Sequence, residues 1–146
     1  MTIVGFNFSN IEVKRDAAPS GKVSVSNNVS IKEIKETEFP IGKNKQTALK
    51  FMFEFASKYE PKIGNITLGG DLLFIEDDAK VKEILDEWKK DKKIHADIMK
   101  SILNTILAKG NILALILSQE VNLPPPIPLP KVNVQEPKKE DKSQKS

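Results

Sequence analysis

Hydrophobic residues recur at every second position through the first half of the chain and at helical spacing through much of the second. Val4, Phe6 and Phe8 alternate with polar or small neighbours, the mark of a strand with one apolar face. The parity shifts to Ile11 and Val13 across Ser9-Asn10, which predicts a β-bulge there or a change of buried face. After a turn-rich link from Arg15 to Lys22, a second strand carries Val23, Val25, Val29 and Ile31, with Asn27 the one polar intruder. Phe39 to Lys45 reads as the next connection. A third strand, from Thr47 to Tyr59, bears the stripe Leu49, Phe51, Phe53 and Phe55 between Lys50, Met52 and Glu54. Pro61 to Gly64 turns the chain into a fourth strand, Ile66 to Ile75, whose end is apolar on both faces through Leu73 and Ile75. Such a strand is expected to be covered on both faces, with the second cover coming from another subunit.

The period then changes. Asp77-Asp78 can cap a short helix whose inner face is Val81, Ile84, Leu85 and Trp88. A longer helix is predicted from Ile94 to Gln119, with Ile94, Ile98, Met99, Ile102, Leu103 and Ile106 on one stripe. From Ile112 to Leu117 every residue is apolar, so that stretch is expected to be buried all round. Gly110-Asn111 could cap a first helix or kink a single one. Strands first and helices afterwards indicate an α+β domain: a four-stranded antiparallel sheet, then a short and a long helix packed on one face. Leu123 to Pro130 cannot be helical, because each proline fixes φ and removes a donor. It is expected to be extended, and its interleaved Leu123, Ile127 and Leu129, followed by Val132 and Val134, favour docking along a sheet or helix edge over a free ligand motif. Packing each would contribute about 1.5–3 kcal/mol. Residues 1–134 read as one domain, and 135–146, which hold no hydrophobic residue, as a disordered polar tail.

Composition narrows the chemistry. The 146 residues are 39% hydrophobic, enough for one core. No uninterrupted apolar run approaches the roughly 20 residues of a membrane-spanning helix, so no integral membrane segment is expected. The N-terminus shows no basic region followed by an apolar stretch, so no secretory signal is expected either. The absence of cysteine removes disulfides, thiol nucleophiles and thiolate metal sites, and fits a cytoplasmic location. One histidine, His95, is too few for most metal or acid–base sites. The net charge of +3 is a small difference between 23 basic and 20 acidic residues spread along the chain, not the footprint of a nucleic-acid reader. Gly69-Gly70 lies within strand pattern, where a bulge or a close backbone approach explains it better than a phosphate cradle. The carboxylates Asp77, Asp78, Glu83, Asp86 and Glu87 belong to a helix cap and its charged face. There is no G-x-S-x-G, P-loop or HExxH motif. Neither an enzyme nor a cofactor is expected.

The element order resembles that of the SecB export chaperone and its SecB-like relatives. The more specific part follows the long helix, where that family typically reads Pro-Pro-(Ile/Leu)-x-Leu-Pro-x-(Ile/Val)-Asn-aromatic. Pro125, Pro126, Ile127, Pro128, Leu129, Pro130, Lys131, Val132, Asn133 and Val134 match it except at the final aromatic. Gly69-Gly70 and the apolar residues through Phe74 are similar to the family's glycine-bearing fourth strand. The family's second helix after the Asn-aromatic pair is not expected from the polar residues 135–146. The resemblance implies an ATP-independent chaperone that holds unfolded or extended polypeptides in apolar grooves, as a homo-oligomer of two or four subunits with a part in protein transport. The expected polypeptide-binding residues are Leu123, Ile127, Leu129, Val132 and Val134, then Phe51, Phe53 and Phe55 if that stripe is exposed groove and not core. The family's translocation ATPase SecA engages an acidic sheet surface and the C-terminal tail; here four lysines against three acids in the tail make that docking doubtful. The other reading is a non-enzymatic structural or adaptor subunit whose apolar surfaces are oligomer or partner interfaces.

Overall fold

The computed structural model describes residues 2–128. Among these the elements run β1 (Thr2–Arg15), β2 (Ser24–Ile41), β3 (Asn44–Glu60), β4 (Gly64–Ile75), α1 (Asp78–Asp91) and α2 (Ala96–Glu120). The strands form one antiparallel sheet in the order β1-β4-β3-β2, an α+β arrangement with both helices after the sheet. Strands β2, β3 and β4 follow one another as a meander. The chain leaves β1 at the far side of β4, so β1 and β2 are the two edges.

Register explains the core. Leu49, Phe51 and Phe55 of β3 pair with Phe74, Leu72 and Leu68 of β4, and all six are fully buried or nearly so on the face that carries the helices. Lys50, Met52 and Glu54 point the other way, as does the half-buried Leu73 and Ile75 end of β4. Strand β2 is longer than its sequence pattern suggests. A bulge between Ile31 and Glu33 restores Ile34 to the buried face opposite Phe51, and pairing continues to Ile41. The expected connection at Phe39 to Lys45 shrinks to a two-residue hairpin turn in which Gly42 takes φ 59°, a left-handed conformation suited to glycine.

Strand β1 contains two irregularities. The one between Phe8 and Asn10 resolves the parity shift as a bulge: Phe6, Phe8, Ile11 and Val13 all share the face of Leu72, Gly70, Leu68 and Ile66. The other, between Ile3 and Gly5, places Ile3 opposite Phe74 and leaves Val4 out of the pairing, so Val4 does not share the Phe6 face as its spacing suggested. Gly70 lies opposite Phe8 at the bulge, where an added Cβ would collide with the Asn7 carbonyl oxygen and press on the Phe53 ring. Both expectations for Gly69-Gly70, a bulge and a close approach, meet at this point. Gly70→Ala is expected to destabilise the protein by about 1–3 kcal/mol through forced backbone movement, read as a lower denaturant midpoint.

Helix α1 starts at Asp77, whose carboxylate accepts from the Lys80 amide at 2.9 Å, and buries Val81, Ile84 and Trp88. It ends at Lys92 in a left-handed cap, with the Lys92 ammonium 5.1 Å from the Trp88 ring centre. His95 caps α2: its Nδ1 accepts from the Asp97 amide. The buried stripe of α2 is Ile98, Ile102, Ile106, Gly110, Ala114 and Ser118. Gly110 neither ends nor caps the helix. It lets α2 lie against Phe55, whose ring an added Cβ would meet at 2.7 Å.

One sequence expectation for α2 needs correction. The run Ile112 to Leu117 is not buried all round: Ile112 is 63% and Ile116 53% exposed, and only Ala114 of the six is buried. A helix packed on a sheet shields one stripe, and these two isoleucines lie off it. The whole helix is also long and apolar enough, by length and composition, to cross a membrane, although no uninterrupted run within it is. One such helix is weak evidence of a membrane span, and the buried stripe of this one lies against β2, β3 and β4.

Candidate functional site

Two surfaces combine apolar character with defined geometry. The first lies between the open edge strand β1 and the second half of α2. Phe6 and Phe8 project from β1, and Ile112, Leu113 and Ile116 from α2, with Lys109 at the rim. The groove between them has a volume of about 370 Å³ and is open to solvent. Its floor is aromatic. Phe6 stacks on Phe53 at 5.1 Å between ring centres, and Phe8 meets Phe6 edge-on at 5.0 Å. Lys109 places its ammonium 5.4 Å from the Phe6 ring centre, a cation–π contact that leaves the aliphatic stem along the groove. Ile11, 50% exposed, continues the same face of β1. Because β1 pairs only with β4, the outer backbone groups of this strand have no strand beside them among the described residues.

The second surface is the segment after α2. Leu123 is buried and its amide donates to the Ser118 carbonyl at 2.8 Å, which turns the chain back toward the sheet past Asn122 in a left-handed conformation. Tyr59 then donates its hydroxyl to the Pro124 carbonyl at 2.6 Å, and the Asn27 amide donates to the Pro126 carbonyl at 2.9 Å. Ser57 donates to the Asn27 side-chain oxygen at 2.6 Å. Asn27, the polar intruder of the second strand, thus lies opposite Ser57 and serves the proline run. The preference for a docked segment is met as far as Ile127, which is half-buried, while Pro128 is exposed.

Burial pushes the Tyr59 hydroxyl up to about 12, partly offset by a hydrogen bond with the Ser118 side chain. A folded pKa above the ordinary value of 10.0 means that the fold favours the protonated phenol. The resulting stabilisation is complete below pH 10 and is lost as pH rises toward 12. Denaturant midpoints should therefore fall between pH 10 and 12 more steeply in the wild type than in Tyr59→Phe; parallel curves would show that the phenol does not drive the loss.

The residues singled out from the sequence divide differently. Phe51, Phe53 and Phe55 are core: the rings lie between the sheet and the helices, so the exposed-groove alternative for them is set aside for this fold. Leu123 is buried and Ile127 half-buried beside the docked prolines, on the β2–β3 side and not at the β1 groove. Leu129, Val132 and Val134 lie outside the described residues, as does the 135–146 tail. The groove residues Phe6, Phe8, Ile112 and Ile116 were legible as apolar but not as a site, because the sequence does not reveal that β1 is an edge. Among the described residues no three His, Cys, Asp or Glu side chains gather as metal ligands would.

No family model and no curated protein matches the chain. Among solved structures it is similar to the Mycobacterium tuberculosis Rv1957 SecB-like chaperone in complex with a ChAD peptide from the Rv1956 HigA1 antitoxin. The two share 11% identity over 94% of this chain and 92% of that one, with a TM-score of 0.48. That protein is of the class the sequence resembles.

Proposed function

We propose that this chain is a non-enzymatic, ATP-independent polypeptide-binding protein of the SecB-like kind, which holds unfolded segments in the groove between β1 and α2. The observation that carries the reading is the pair Ile112 and Ile116, more than half exposed beside Phe6 and Phe8 on an open sheet edge. An extended segment could pair its backbone with β1 while its side chains cover the groove, the recognition mode of strand addition. Apolar burial supplies the affinity, at about 1–2 kcal/mol for each isoleucine covered. Nothing in such a cycle needs nucleotide. A homo-oligomer of two or four copies belongs to the same reading, because Leu73 and Ile75 on the second sheet face remain only half-buried.

The adaptor reading is favoured by the same groove's position at an edge, where another copy of the chain could fill it for good. An aggregation assay with a chemically unfolded client, run beside light scattering, separates the two. The proposal expects suppression of client aggregation at near-stoichiometric amounts by a particle heavier than the 16.3 kDa chain. An oligomer without suppression supports the adaptor, and a dilution-resistant monomer without suppression overturns both.

A further inference from the structure

The proline segment is held in an unusual way. Pro124, Pro125 and Pro126 have no N–H, so this stretch of backbone offers acceptors only. Opposite them the fold presents donors: the Tyr59 hydroxyl to the Pro124 carbonyl and the Asn27 amide to the Pro126 carbonyl, two residues apart. The donors are oriented from behind. Ser57, fully buried, donates to the Asn27 oxygen and so turns the Asn27 NH₂ toward the prolines. Tyr59, also buried, contributes an aromatic ring as well as its hydroxyl. Neither of the two bonds uses a main-chain donor, so beyond the Leu123 anchor the prolines are held through side chains of β2 and β3. Aromatic and amide donors that read alternate carbonyls of a stiff, acceptor-only backbone are the general means of recognising polyproline-type segments.

We infer that Asn27, Ser57 and Tyr59 form a polyproline-binding site, occupied in cis by residues 124–126 and able to take a proline-rich segment of another polypeptide in their place. The ligand class follows from the chemistry: consecutive prolines with carbonyls at positions i and i+2. A segment without prolines offers the same carbonyls but loses more conformational freedom on docking, so the stiff proline run is preferred. The site is independent of the β1 groove, so it stands or falls apart from the proposed holding activity. Because the cis segment is tethered directly to α2, its effective concentration at the site is of millimolar order, and it masks the site against dilute competitors.

The test uses the full chain and a fluorescent peptide, Leu-Pro-Pro-Pro-Ile-Pro-Leu-Pro, read by anisotropy. Leu123→Ser removes the buried anchor of the cis segment and should raise peptide affinity at least tenfold over wild type. Adding Tyr59→Phe or Asn27→Ala to that variant should lower it again at least fivefold. Equal affinity for wild type and Leu123→Ser, or binding indifferent to Tyr59 and Asn27, overturns the inference. Should Leu123→Ser fail to fold, the wild-type chain answers alone. Millimolar peptide should then speed hydrogen exchange of the Leu123 amide several-fold by displacing the segment, and unchanged exchange overturns the site.

Discussion

Phe55→Ala is expected to remove about 3–5 kcal/mol of folding stability, a large share of the roughly 5–15 kcal/mol that holds a domain together. The Phe55 ring is completely buried, lies opposite Leu68 on one side and Val29 on the other, and fills the space under Gly110. Its removal leaves a cavity where Gly110 lets α2 lie against the sheet, and the main chain on both sides is fixed by strand pairing and helix hydrogen bonds. Collapse is therefore limited, which places the cost toward the upper end of that range. Urea titration reads it directly. A loss under 1 kcal/mol would mean that α2 is free to settle onto the sheet and that the Gly110 contact is loose.

The second large effect concerns binding. Replacing Ile112 and Ile116 together with serine should lower affinity for an unfolded client about 30-fold or more, the equivalent of some 2–3 kcal/mol for two isoleucines that go from half-exposed to covered. The same double variant should keep its thermal midpoint within a few degrees in isolated protomers, because neither side chain belongs to the buried stripe of α2. Titration of the variant against a labelled, permanently unfolded client measures the first quantity, and a thermal melt the second. Loss of fold without loss of binding would reverse the roles assigned to the two faces of this helix.

These expectations show where the sequence was legible. The Phe51–Phe53–Phe55 stripe announced itself by strict alternation, since a half-buried strand repeats every second residue whatever its neighbours are. The bulge at Ser9-Asn10 was visible for the same reason, because a broken parity needs either an extra residue or a change of face. The Ile3–Gly5 irregularity was not visible: Val4, Phe6 and Phe8 already form an unbroken series, and only pairing with Phe74 and Leu73 shows that Ile3 holds the inner position. Gly110 carried the opposite difficulty. A glycine after a helical stripe signals a cap or kink, while its cause here is the ring of Phe55 on another element, 55 positions nearer the N-terminus.

The candidate site was less legible than the fold. Phe6, Phe8, Ile112 and Ile116 are apolar, and apolarity alone assigns a residue to the interior. Their exposure arises because β1 crosses over to the free side of β4 instead of pairing with β2, and because α2 turns only one stripe toward the sheet. Neither fact is local in sequence. The proline segment was the reverse case. Its extended course and its preference for docking followed from proline chemistry and interleaved aliphatic residues, but its donors, Asn27 and Tyr59, lie on strands far away in the chain. Asn27 stood out beforehand only as a polar residue on an apolar strand face, with nothing local to show its partner.

The central claim, that the β1–α2 groove takes polypeptide, is tested most directly by site-specific photo-cross-linking. A photoreactive side chain placed at Ile116 in the full-length protein, illuminated with an unfolded client present, should join the chain to the client. The yield should fall when an excess of unlabelled client competes. Cross-links formed only between copies of the chain, with yield unaffected by client, would contradict the claim and make the groove a permanent subunit interface.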